Sequence, residues 1–83
     1  MKTIRLHIHF VIENKWVHTA SDMNLKMKDF FSILFQMMNQ ESSEMIILNR
    51  DHDVIDMEKD MEENYLVDGD VLYVYLLDSL CQS

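Results

Sequence analysis

Apolar residues occupy every second position from Ile4 to Ile12 (Ile4, Leu6, Ile8, Phe10, Ile12), with Thr3, Arg5, His7 and His9 in the alternate positions. Successive side chains of a strand point to opposite faces, so a period of two predicts a half-buried strand. Glu13, Asn14 and Lys15 interrupt the pattern, and Asn tolerates the left-handed backbone that a hairpin turn needs. Trp16 to Ala20 resume with strand formers, which predicts a β-hairpin. The pattern does not decide whether Trp16 and His18 or Val17 and Thr19 face the core, because a one-residue slip exchanges the two faces.

Ser21, Asp22 and Asn24 can each accept a hydrogen bond from the free amides of a helix start. At about 100° per residue, Met27, Phe30, Phe31, Leu34, Met37 and Met38 share one face, and Lys28, Asp29, Ser32, Gln36 and Asn39 the other. This spacing predicts a helix over 25–40, with Phe35 at the edge of its polar side, either a flank of the core or a contact for a partner. Glu41 to Glu44 form a polar link, Met45 to Leu48 a third strand, Asn49 to Asp53 a turn, and Val54 and Ile55 a short further strand. Met57 and Met61, four apart, can anchor one or two helical turns in Asp56 to Asn64. Gly69, the only glycine, lies within Asp68-Gly69-Asp70, where a turn with positive φ is easiest. The last strand, Val71 to Leu77, carries Leu72, Val74 and Leu76 on one face and Tyr73 and Tyr75 on the other.

One helix must cover one face of one sheet, which makes an α+β roll of order ββαββ. The first and last strands are the longest and most apolar, so they belong side by side at the centre of a mixed sheet, parallel if the crossover is right-handed. That arrangement is the β-grasp. The chain resembles ubiquitin at Thr3-Ile4-Arg5-Leu6, at Ser21-Asp22 before the helix, at Met45-Ile46-Ile47-Leu48 and from Tyr65 to Leu72. Within that superfamily it is most similar to the small YukD and EsaB proteins. The shared points are stand-alone size, Ser-Asp before a helix with Lys26 and Lys28, Asn49-Arg50 before the turn, and the Gly69-Asp70 step. The resemblance implies a ubiquitin-like domain over 1–78 with a short tail over 79–83. It also implies a cytoplasmic accessory or regulatory role in type VII secretion, the export route of WXG100-type helical hairpins. Conjugated ubiquitin-like proteins end in Gly-Gly, whereas this sequence ends Leu80-Cys81-Gln82-Ser83, so no conjugation is expected.

At 83 residues and 48% hydrophobic composition, the chain has room for one core and little for a deep catalytic cleft. No enzymatic activity and no cofactor are expected. The absence of an apolar run near 20 residues and of a signal-like start predicts a soluble, intracellular protein, which the resemblance makes cytoplasmic; a monomer or weak dimer is expected. The formal charge is −8, and all of it arises between Asp51 and Asp70, where nine acids accompany one base, Lys59. Such a charge repels nucleic acid and anionic membranes, and a partner of that segment would be basic. It supports a rival reading as an acidic inhibitor or antitoxin-like protein.

His7 and His9 point to the same face, and His18 could join them at a metal, but two or three histidines without a second shell read as surface residues. Asp51-His52-Asp53 opens like a calcium loop, yet its sixth position is Asp56 where the EF-hand needs Gly. Cys81 lacks a base and is expected to be a free tail thiol. The remaining candidate is a protein-binding face on the helix-free side of the sheet, formed by Arg5, His7, His9, Ile47, Tyr73 and Tyr75. Tyr and Arg recur in binding hot spots because they bury area while keeping a polar tip satisfied.

Overall fold

A computed structural model describes residues 2–39 and 44–77. The elements run β1 (Thr3–Phe10), β2 (Lys15–Asp22), α1 (Met27–Met37), β3 (Met45–Leu48) and β4 (Asp70–Leu76). They form one mixed sheet of order β2-β1-β4-β3, with β1 and β4 parallel at its centre and both outer pairs antiparallel. The predicted Gln40 end of the helix, most of the 41–44 link, and the tail with Cys81 lie outside the described residues.

The alternation of β1 buries Ile4, Leu6, Ile8 and Phe10, and β4 adds Leu72, Val74 and Leu76 to the same face. Helix α1 covers that face with Met27, Phe30, Phe31, Leu34 and Phe35. Phe35 packs against Phe10 and Phe31 as a full core member, whereas Met37, expected on the apolar face, is exposed. A large apolar side chain buried in this way contributes about 1.5–3 kcal/mol, so these rings and branched chains hold helix to sheet.

The hairpin turn begins at Val11, where the alternation in structure stops, and Ile12 is exposed. Asn14 takes φ +52°, and β1 pairs with β2 from Phe10↔Lys15 to Thr3↔Asp22. This register places Trp16 and His18 opposite His9 and His7, away from the helix, and packs Val17 against the core.

Helix α1 starts without a side-chain cap, contrary to the expectation from Ser21, Asp22 and Asn24. Asp22 Oδ1 instead accepts the Asn24 amide within a local turn (2.9 Å). The helix amides of Met27 and Lys28 donate to the carbonyls of Lys59 and Met57 (3.0 and 3.1 Å), so the acidic segment's backbone satisfies them. At the other end Asn39 takes φ +55° and closes the helix. Val54 makes only an isolated bridge to Leu48 and forms no strand. Asp60 and Glu63 exchange reciprocal bonds, the Glu63 amide to Asp60 Oδ1 (2.7 Å) and the Asp60 amide to Glu63 Oε1 (3.1 Å). This reciprocal pair opens the 61–65 turn, where the sequence predicts helical turns and the structure has no helix, and fully buried Met61 pins it to the core.

Candidate protein-binding face

The sheet face away from α1 is built in rows, because directly opposed residues on neighbouring strands share a side. In the first row Trp16, His9, Tyr73 and Leu48 stand in register across all four strands. The Trp16 and His9 rings stack at 4.3 Å and 5°, and His9 meets Tyr73 edge-on at 6.0 Å. The 49–53 turn extends the row: Asn49 Oδ1 accepts the amides of Asp51 and Asp53, His52 takes φ +67°, and its ring stacks on Tyr73 at 5.4 Å. His18, His7 and Val71 form the second row, with the His7 and His18 rings edge to face and their Nδ1 atoms in hydrogen-bond contact. Tyr75 and Ile46 form a third.

All four histidines of the chain therefore gather on this face. The ring nitrogens of His9 are shielded between its neighbours, and neither has a hydrogen-bond partner among the described residues. Among the described residues no group of three or more His, Cys, Asp or Glu side chains is placed to hold a metal ion. The arrangement offers flat rings with polar edges, half-exposed at Trp16.

Arg5 lies at the border of the face and is already engaged. Its Nη2 and Nε donate to Asp68 Oδ2 and Oδ1 (2.9 and 3.3 Å), and its amide donates to Asp68 Oδ1 (2.8 Å). These bonds, the guanidinium's first and the amide's second, lower the Asp68 carboxyl from the usual 3.8 to about 2 and raise the Arg5 guanidinium. A partner meets an ion pair here and not a free cation. Gly69, at φ +83°, follows in the same turn and donates its amide to the Arg5 carbonyl (2.7 Å), which sets the start of β4 against β1.

No protein-family model and no curated protein matches this chain. Among solved structures it is similar to the ubiquitin of Caldiarchaeum subterraneum, with TM-score 0.77 over 90% of this chain and 94% of that one, at 9% identity. The fold is the ubiquitin-like β-grasp. The UBL domain of Plasmodium falciparum Dsk2 is similar with TM-score 0.75, 11% identity and coverage of 90% and 99%. Protomer 1 of the ESX-3 core complex contains a similar region, with TM-score 0.69 and 11% identity over 88% of this chain and 16% of that one.

Within this β-grasp sheet the structure places Arg5, His7, His9, Tyr73 and Tyr75 on the helix-free side. Ile47 does not belong with them: it pairs with Val74 and is buried in the core, and Ile46 beside it faces outward. The run Met45-Ile46-Ile47-Leu48 has no alternation, so its parity comes from pairing with β4 and not from its own pattern. Sequence reasoning also missed Ile46, Leu48 and His52 on this face, and left Trp16 and His18 undecided. Fixing the left-handed corner at Asn14 would have aligned Trp16 with His9; no local signal marks His52.

Proposed function

We propose that this protein is a non-catalytic, ubiquitin-like interaction module that binds a protein partner through the Trp16–His9–Tyr73 row and its neighbours. We propose further that it acts in the cytoplasm as an accessory of a type VII secretion system. The observation that carries the binding reading is the unbroken row of rings across β2, β1 and β4, ending on His52. Support for the secretion role is the resemblance to YukD and EsaB, together with the similar region in protomer 1 of the ESX-3 core complex. The rival reading, an acidic inhibitor, has less support. The carboxylates of six of the nine acids between 51 and 70 (Asp56, Glu58, Asp60, Glu63, Asp68, Asp70) accept bonds from within the chain.

The test is affinity capture from extract of the source organism, with wild type beside the Tyr73→Ala/Tyr75→Ala double variant. Both tyrosines are on the outer face, so the core residues of β4 stay in place and circular dichroism should be unchanged. Wild type should retain secretion-machinery components that the variant loses. Equal capture by both proteins, or capture of a small basic protein that falls steeply with salt, contradicts the proposal.

A further inference from the structure

The sheet has two outer edges. Four-residue β3 is partly closed on its outer side by the Leu48–Val54 bridge and by the Ile55 amide bonded to the Ile47 carbonyl. Eight-residue β2 ends the opposite side of the sheet, and among the described residues no strand pairs with its outer side. Natural edges are usually guarded by proline, a bulge or an interior lysine. Here the chain has no proline, β2 pairs with β1 residue for residue, and the charges of β2 stand only at its ends, Lys15 and Asp22.

Beside this edge, on the helix side, runs a groove of about 140 Å³ lined by Thr19 and Ser21 of β2 and by Phe30 and Leu34 of α1. Ile33 and Met37, 47% and 76% exposed, border it as an i, i+4 pair. The charge distribution is equally uneven. Residues 13–39 carry three acids (Glu13, Asp22, Asp29) and three bases (Lys15, Lys26, Lys28), three minus three giving zero, while the whole −8 lies at 51–70. A second copy can therefore approach this side without a net charge opposing it.

We propose that a second copy of this chain docks here, β2 against β2, antiparallel about a two-fold axis, joining the two sheets into one. Opposed residues must share a face, which allows His18 opposite His18 or Thr19 opposite Thr19. The first is favoured. It sets Trp16 against Ala20 and Val17 against Thr19, large beside small on the outer face and an apolar side chain at the groove. The second sets the Asp22 carboxylate against Trp16. In the favoured register Val17 of the second copy lies at the groove through Thr19, and Ile33 and Met37 of both copies border the joint. Trp16 and His18 belong both to this edge and to the partner-binding face, whereas Tyr73 and Tyr75 stand two strands away on β4, so loss of capture in the tyrosine variant and loss of the dimer are separate outcomes.

The test uses the full chain carrying Cys81→Ser, so that the tail thiol forms no disulfide. Sedimentation equilibrium up to about 1 mM, the weak limit of specific association, should show a monomer–dimer equilibrium. Ile33→Asp should weaken it by about tenfold or more, because the joint would bury an unpaired carboxylate. In the same background, His18→Cys should cross-link rapidly into a disulfide dimer, since it sits opposite itself, and Ala20→Cys should not. A monomer at every concentration, or equally slow cross-linking of both cysteine variants, overturns the proposal.

Discussion

Arg5 and Asp68 meet at the seam between the two central strands, and their contact makes a definite statement about pH. The Asp68 carboxyl is lowered from 3.8 to about 2, first by the guanidinium and then by the Arg5 amide. A lowered folded value means that the contribution to stability is complete above about pH 4 and is lost as pH falls toward 2. In an NMR titration, Arg5→Ala should raise Asp68 part of the way toward the ordinary carboxylate range, since the amide bond remains, and an unmoved midpoint would refute that cause. His9 makes the opposite kind of statement. Two shielded ring nitrogens without partners are a desolvation penalty, and the stack on Trp16 does not need them. His9→Phe should therefore raise stability by roughly 1 kcal/mol in urea unfolding. A loss of stability would show that the imidazole is bonded after all.

At the scale of elements, the acidic segment is a structural device as well as a charge. Its carbonyls at Met57 and Lys59 terminate α1, its Asp60–Glu63 box holds a turn, Lys28 and Glu58 pair at 3.0 Å, and Met61 anchors the whole in the core. Met61→Ala should cost about 2–5 kcal/mol, as for other deeply buried methionines, and the melting temperature should fall accordingly. Half-buried Met57→Ala should cost less, and equal losses would contradict the anchoring role. Much of this architecture was legible in the sequence. The alternation of Thr3–Phe10, the one-sided helix and the Leu72-Val74-Leu76 stripe lead directly to a ββαββ roll with parallel central strands. The face was less legible for physical reasons. Lys15–Asp22 reads as amphipathic in either parity, Met45–Leu48 is apolar throughout, and both are resolved only by pairing with a neighbouring strand. The helix start misled because backbone carbonyls distant in sequence did the work that Ser21, Asp22 and Asn24 could have done.

Across the whole molecule three surfaces separate cleanly. The 51–70 segment holds the net charge and spends much of it internally, the β2–α1 side is neutral and apolar, and the helix-free face gathers the histidines with Trp16 and two tyrosines. No helix among the described residues is long and apolar enough to cross a membrane. A partner bound mainly by stacking and apolar contact on that face should lose little affinity between low and physiological salt, because screening acts on exposed charges.

The most direct test of the central claim is amide shift mapping of the isotope-labelled protein on addition of the partner recovered by capture. The account predicts that perturbations concentrate at Arg5–His9, Trp16–His18, Val71–Tyr75 and His52. Perturbations confined to 56–64, with the ring-bearing face unmoved, would contradict it and make the acidic rim the binding surface.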